Sequence, residues 1–139
     1  MQSAAESLLV TEEVDYEWLF ARAACVVHHG GVGTVAAVLR AGVPSILLPQ
    51  IGSQEEFGRM LLRERLATGV FDTATLDPGA LAAAIQHAAG DEAVRESARR
   101  WQAIVREERG VASAADLIED HWRRLDAGCA VAVPPERTA

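Results

Sequence analysis

Short apolar runs, separated by glycine, proline and charged residues, recur through the first half of the chain. The runs do not alternate with polar residues, and short continuous apolar runs are typical of strands buried in a parallel sheet. We predict strands at 7–11, 24–28, 45–48 and 68–71. Apolar positions at helical spacing predict helices at 15–23, 34–41 and 53–65. This alternation predicts an α/β fold, a Rossmann-like parallel sheet with flanking helices.

The chain becomes helical after residue 76. Asp77-Pro78 is typical of the cap and first residue of a helix, which we predict to end near Ala89. Gly90 should end it and Asp91 should cap the next helix, over 93–109. Gly110 should end that one, and 113–125 has the spacing of an amphipathic helix. We therefore expect one domain over 1–125 and a flexible tail over 126–139.

Residues 28–34, His-His-Gly-Gly-Val-Gly-Thr, join the second predicted strand to the helix that follows it. Glycine lets a backbone approach a ligand closely, and a helix N-terminus offers unpaired N–H groups and a partial positive charge. These features are typical of a phosphate-binding turn. His28, at the end of the strand, could donate a hydrogen bond to a phosphate oxygen. A tight turn with two surface histidines is the alternative, because glycine patterns alone are weak signals.

Gln54 follows the next predicted strand, after the loop 49–52. Ligands of parallel sheets bind outside the carboxyl ends of the strands, so His28 and Gln54 are expected to face one crevice. Ser53 is predicted to cap the helix 53–65, and Glu56, three residues later, completes a capping-box pattern.

Composition and charge narrow the function classes. The formal net charge of −7 disfavours nucleic-acid and anionic membrane partners. No apolar run approaches the ~20 residues of a membrane span, and the first residues lack the pattern of a signal peptide. Cys25 and Cys129 have no metal or redox spacing, so a reduced, cytoplasmic setting is expected. The chain contains no lysine, which argues against a P-loop nucleotide site.

The run from Val14 to Gln54 resembles the donor-binding region of nucleotide-sugar glycosyltransferases of the GT-B fold, in the branch of bacterial antibiotic and sterol glycosyltransferases. Weaker similarity continues to about Asp120. The resemblance implies that the chain is part of a GT-B C-terminal domain. The matching segments follow the family's order and spacing: Trp18 to Phe20, Val26 to Thr34, Leu39 to Pro44, Pro49-Gln50 and Gly52 to Gln54.

The resemblance also implies site residues. Ser53-Gln54 match an Asp-Gln pair that binds the donor sugar. Serine cannot supply a charged acceptor, so the resemblance implies weaker sugar binding or a different sugar. His29 matches a family position too, and we expect it to orient the turn. The positions that match the donor diphosphate site are His28, Gly31, Val32, Gly33 and Thr34, and those beside the nucleotide base are Val14 and Tyr16.

The implied reaction moves a sugar from a UDP- or dTDP-sugar to a hydroxyl of a small-molecule acceptor, without a metal or other cofactor. The general base belongs to the family's N-terminal domain, so no catalytic residue is assigned in this chain. We therefore expect no turnover by the chain alone. Two family strands that would lie between 7–11 and 24–28 have no counterpart here. We expect self-association or a complementary acceptor-domain chain.

A second hypothesis is a truncated, non-catalytic relative that binds a ligand or a partner through the same crevice. A nucleotide-binding regulator is a third. A neighbouring reading frame that encodes the missing halves would favour the glycosyltransferase.

Overall fold

The computed structural model describes residues 8–126. The chain divides at residues 106 and 107 into two compact units. The second unit contains α6 (Gly110–Asp126). The predicted tail, including Cys129, lies outside the described residues apart from Asp126. The elements that begin in the first unit are α1 (Tyr16–Phe20), β1 (Val26–His28), α2 (Val32–Ala41), β2 (Ser45–Leu47), α3 (Gly52–Arg63), β3 (Ala67–Val70), α4 (Pro78–Gly90) and α5 (Glu92–Glu107).

The three strands form a parallel sheet in the order β1-β2-β3. Val26 and His28 pair with Ser45 and Leu47, while the register of β2 against β3 shifts between Ser45 and Ile46. The carboxyl ends of β1 and β2 therefore lie side by side, and each leads into the helix that follows it. This arrangement confirms the predicted α/β fold with flanking helices.

Helices cover both faces of the central strand. Leu47 is fully buried in a cluster with Val35 of α2 and Leu61 of α3. Ile46, on the opposite face, is fully buried against Ala84 and Ala88 of α4. Because β2 is buried on both faces, its sequence is apolar without alternation.

Aspartate caps start three of the helices. Asp15 accepts hydrogen bonds from the N–H groups of the first turn of α1. Asp77 accepts one from Ala80, and Asp91 accepts one from Ala93 at 2.8 Å. The starts predicted at Asp77 and Asp91 are therefore confirmed.

The strand predicted at 7–11 is wrong for the residues that the structure describes. Leu8, Leu9 and Val10 are not in a strand, and their exposed fractions are 73, 88 and 83%. Within residues 8–126, β1 pairs with β2 alone, so no strand offers this run the hydrogen bonds that a sheet requires.

Two further boundaries differ from the prediction. Ser53 does not cap α3, because the Ile51 carbonyl already accepts the N–H of Gln54 at 3.0 Å and makes Ile51 the N-cap. Glu56 pairs with Arg59 and does not complete a capping box. Gly110 begins α6, and α5 ends before it at Glu107.

The helices within residues 8–126 include none that is both long enough and apolar enough to cross a membrane.

Candidate functional site

His28 is the last residue of β1 and is buried. Its Nδ1 accepts the N–H of Gly30 at 3.1 Å, and its Nε2 lies 3.2 Å from the hydroxyl of Ser45. A neutral imidazole carries one proton, and an Nδ1 that accepts a hydrogen bond has none. The proton is therefore on Nε2, which donates to Ser45 Oγ.

The surroundings keep His28 uncharged. Burial, and to a smaller extent the neighbouring His29, lowers the pKa of His28 to about 4. At neutral pH both ring nitrogens serve the protein itself. In this geometry His28 orients the turn, which is the role we expected of His29. Donation from His28 to a phosphate stays a prediction.

Gly30 lies in the turn after β1 and packs against the start of α3. Its φ is +90°, a conformation that favours glycine. A Cβ at this position would lie 2.9 Å from Leu47 Cδ2 and 3.2 Å from the carbonyl oxygen of Gln54. The structure therefore brings the turn and Gln54 together, as the sequence predicts.

The N-terminus of α2 has no side-chain cap. Its N-cap is Gly31, which has no side chain to accept the N–H groups of residues 32–34. These groups have no acceptor within the helix. Val32 and Gly33 are exposed, and a Cβ on Gly33 would contact nothing within 4 Å. This helix start therefore presents free N–H donors to an open surface, whereas α1, α4 and α5 each have an aspartate that caps the first turn.

His29 is exposed at the same helix start. Its ring lies over Gly31, where a Cβ would collide with His29 Nε2. The missing side chain of Gly31 thus makes room for the ring. His29 is the more exposed histidine of the pair.

The start of α3 is uncapped as well, since its N-cap Ile51 offers no acceptor. Gln54 turns back so that its Oε1 accepts the N–H of Gln50 at 2.7 Å. This bond leaves the Nε2 of Gln54 as a donor, and Ser53 beside it is exposed. An open cleft of about 650 Å³ begins at Gln50, and its other lining residues are Pro49, Glu55, Arg59, Val70, Phe71, Asp72 and Thr73.

The predicted base-binding residues lie at another opening. Val14 and Tyr16 are exposed and line a shallow cavity of about 700 Å³ formed by residues 11–16. The Tyr16 ring stacks on Phe20 with centroids 4.8 Å apart, and Phe20 is buried against α2. Asp15, between Val14 and Tyr16, caps α1 by accepting the N–H groups of Glu17 and Trp18.

Sequence analysis did not identify Ser45, the buried partner of His28. Ser45 is 17 residues from His28 and stands in an apolar run without a motif around it. Arg59 and Asp72, which line the cleft beside α3, also carried no signal. Among residues 8–126 no group of three or more His, Cys, Asp or Glu side chains has a geometry that could hold a metal ion.

Residues 6–118 match the family described as Erythromycin biosynthesis protein CIII-like, C-terminal domain. The chain belongs to this family. The resemblance inferred from the glycine turn and the segments around it is therefore confirmed.

Relatives of this EryCIII-like domain include antibiotic and sterol glycosyltransferases. The O-mycaminosyltylonolide 6-deoxyallosyltransferase of Streptomyces fradiae is 42% identical over 76% of this chain and 25% of its own length. A sterol 3-beta-glucosyltransferase of Arabidopsis thaliana is 31% identical over 84% of this chain and 19% of its own length. The chain thus spans a quarter or less of the length of these relatives.

Solved structures of GT-B glycosyltransferases share the fold of this EryCIII-like domain. The glycosyltransferase of kitacinnamycin is 32% identical with a TM-score of 0.73, over 78% of this chain and 28% of that one. Glycosyltransferase VinC, solved in complex with dTDP, is 26% identical with a TM-score of 0.62, over 70% of this chain and 24% of that one. The predicted GT-B relationship is confirmed.

Proposed function

We propose that this chain is the donor-binding part of a glycosyltransferase, and that it binds the diphosphate of a nucleotide-sugar at the start of α2. The observation that carries the proposal is the uncapped N-terminus of α2, which follows β1 at the carboxyl edge of the sheet. The N–H groups of residues 32–34 supply hydrogen bonds, and the helix supplies partial positive charge. The hydroxyl of Thr34 is a further donor.

His29 supports the same assignment. Its ring lies over Gly31 and is exposed, so an Nε2–H could donate to a phosphate oxygen. His28 holds the backbone beneath it through Gly30. We therefore assign phosphate contact to His29 and orientation of the turn to His28, while the turn residues Gly31 to Thr34 keep the role that the resemblance implies.

The donor sugar would lie at the start of α3. The N–H groups of Gly52 and Ser53 precede the first internal bond of that helix, and the Nε2 of Gln54 is a further donor because Oε1 already accepts the N–H of Gln50. All of these groups donate, and the Ser53 hydroxyl also accepts. The site therefore suits a sugar whose hydroxyl oxygens accept hydrogen bonds, without the charged acceptor that an aspartate provides.

Val14 and Tyr16 would hold the base, because both are exposed at the cavity of residues 11–16. The VinC structure, solved with dTDP, supports a dTDP- or UDP-sugar as the donor. The leaving diphosphate would be stabilised by the helix amides and His29, so the proposal needs no metal ion.

Transfer to an acceptor hydroxyl requires a base that takes the acceptor proton. We assign no such base within residues 8–126. We therefore propose that the acceptor and the base are held by another domain or chain, and that this chain alone binds a donor without transferring its sugar.

Isothermal titration tests the proposal. We expect dTDP or UDP to bind and the corresponding nucleoside, which lacks phosphate, to bind at least about tenfold more weakly, because charge-assisted hydrogen bonds contribute about 1.5–3 kcal/mol each. Gly33→Ala should leave the fold intact, because a Cβ at this position would contact nothing within 4 Å. The added methyl group should crowd the diphosphate and weaken its binding.

Gly90→Ala is the matched control, since a Cβ there also contacts nothing within 4 Å and Gly90 ends α4, away from the start of α2. Its affinity should equal that of the parent. Equal binding of nucleoside and nucleoside diphosphate, or equal affinity of the Gly33→Ala and Gly90→Ala variants, would contradict the proposed phosphate site.

A further inference from the structure

Ser45 is a fully buried polar residue at the start of the central strand, among apolar neighbours. Within residues 8–126 its hydroxyl contacts one side-chain hydrogen-bonding partner, Nε2 of His28, at 3.2 Å. The register of β2 against β3 also shifts at Ser45, and such irregularities are known to redirect side chains. Neither the strand nor the core requires a hydroxyl here.

The N–H of Gly30 determines which nitrogen of His28 carries the proton, because Nδ1 accepts that N–H and the proton must then be on Nε2. With Ser45 Oγ as acceptor, the Nε2–H tautomer has a partner, and Nδ1 is left free to accept the N–H of Gly30. In the opposite tautomer, Nδ1–H would face the N–H of Gly30, and two donors would oppose each other. Ser45 therefore supplies the acceptor for the buried Nε2–H and holds the ring in the orientation in which Nδ1 faces Gly30.

The hydrogen bond from the N–H of Gly30 to Nδ1 of His28 connects Ser45 and His28 to the proposed ligand site. It holds Gly30 at a φ of +90°, against Leu47 and Gln54, and the next residue is the N-cap of α2. The direction of the free N–H groups of residues 32–34 follows from this anchor.

We propose that Ser45 is a positioning residue for the diphosphate site. Its hydroxyl holds the Nε2–H of His28, and Nδ1 of His28 holds Gly30 and with it the start of α2. The binding effect rests on the proposed function, whereas the tautomer and the Gly30 hydrogen bond do not. Ser45 touches no ligand in this account and acts through His28.

Nitrogen-detected NMR of the histidine rings in the full chain tests the first half without any ligand. We expect His28 at pH 7 to show a protonated Nε2 and an unprotonated Nδ1, with slow solvent exchange of the Gly30 amide. The opposite tautomer in the parent protein would overturn the proposal, whether or not the chain binds a nucleotide.

The pair Ser45→Thr and Ser45→Val tests the second half, because the two side chains have nearly the same shape and differ in the hydroxyl. We expect Ser45→Thr to keep the tautomer, the slow Gly30 exchange and an affinity for dTDP within about twofold of the parent. Ser45→Val leaves the buried Nε2–H without its acceptor, so it should give faster exchange at Gly30 and about fivefold weaker dTDP binding, the effect of one net hydrogen bond.

Ser45→Ala provides a smaller change if the branched side chains prevent folding, and it should behave as Ser45→Val does. Unchanged Gly30 exchange and unchanged dTDP affinity in the folded variants without a hydroxyl would overturn the positioning role. Faster Gly30 exchange in the variants without a hydroxyl, with no dTDP binding by any variant, the parent included, would keep the hydrogen-bond relay and reject the proposed function.

Discussion

His28 and His29 are neighbours in the chain but have opposite surroundings. His28 is buried and uses both ring nitrogens within the protein, while His29 is exposed at the start of α2. His28 is the last residue of β1 and is buried, whereas His29 follows the strand in the turn and is exposed. The difference separates a residue that shapes the turn from one that can bind a ligand.

Replacement of His29 by alanine should weaken dTDP binding by about 1.5–3 kcal/mol, which is about tenfold to a hundredfold, because one hydrogen bond to a charged oxygen is lost. The free energy of unfolding should change by less than about 0.5 kcal/mol, since the side chain is exposed. Titration and urea unfolding measure the two effects. Unchanged affinity would remove His29 from the site.

The protonation of His28 should make stability depend on pH. Its pKa is near 6.5 in an unfolded chain and about 4 in the folded one, because burial disfavours the charged ring. Between these values the unfolded chain binds the proton and the native state does not. The contribution is therefore fully present above pH 6.5 and is lost as the pH falls towards 4.

Urea unfolding of the parent and of His28→Gln at several pH values measures this contribution. The parent should lose more stability than the variant between pH 6.5 and 4. A ring titration by NMR with a midpoint near 6.5 for His28 would contradict the assignment.

At the scale of elements, the start of each helix follows from its local chemistry. Asp77 caps α4 by accepting the N–H of Ala80 at 2.8 Å, whereas Ser53 lies inside α3 and caps nothing. The capped and the uncapped helices also start at different places in the fold. The uncapped helices α2 and α3 start directly after β1 and β2. Free N–H groups are thus left at the edge where ligands of parallel sheets bind.

The Asp77→Ala substitution should lower the free energy of unfolding by about 1 kcal/mol, the usual cost of a lost cap. Ser53→Ala should change it by less than about 0.5 kcal/mol. Urea unfolding compares the two variants, and Asp77→Asn, which keeps an acceptor, should stay close to the parent. A larger loss in Ser53→Ala than in Asp77→Ala would show that the start of α3 is misassigned.

The strands, the first helices and the glycine turn could be predicted because their signals are local. Apolar runs such as Ser45 to Leu48 match buried strands, and aspartate-proline marks the start of α4. The hydrogen bond from His28 to Ser45 could not be predicted, since it joins positions that only strand pairing brings together. The strand predicted over Leu8 to Val10 was wrong for a similar reason, because an apolar run forms a strand only where another strand can pair with it.

At the scale of the whole molecule, the sheet within residues 8–126 leaves the outer edges of both β1 and β3 unpaired. Within residues 8–126, β1 pairs along one edge only, and the outward residue Val27 is 40% exposed. Parallel sheets are normally covered on both faces, and an open apolar edge invites pairing with another chain. The chain covers 25% of the length of its Streptomyces fradiae relative and 28% of the kitacinnamycin glycosyltransferase.

We expect the purified chain to associate with itself, because a second copy can pair with the open edge of β1. Light scattering over a range of concentrations measures the mass, which should rise above the 14.9 kDa of one chain. Val27→Arg, placed on the exposed part of β1, should reduce the association. A single species of 14.9 kDa at every concentration, with cooperative thermal unfolding, would contradict the expectation.

The central claim is that a nucleoside diphosphate binds at the start of α2. Amide chemical shifts during a dTDP titration test it most directly, because they report each backbone N–H separately. We predict the largest changes at residues 31–34, with small changes at the capped starts of α4 and α5. Thymidine should leave residues 31–34 unchanged. If dTDP binds and its largest shifts fall elsewhere, or if thymidine shifts residues 31–34 equally, the account of this site is wrong.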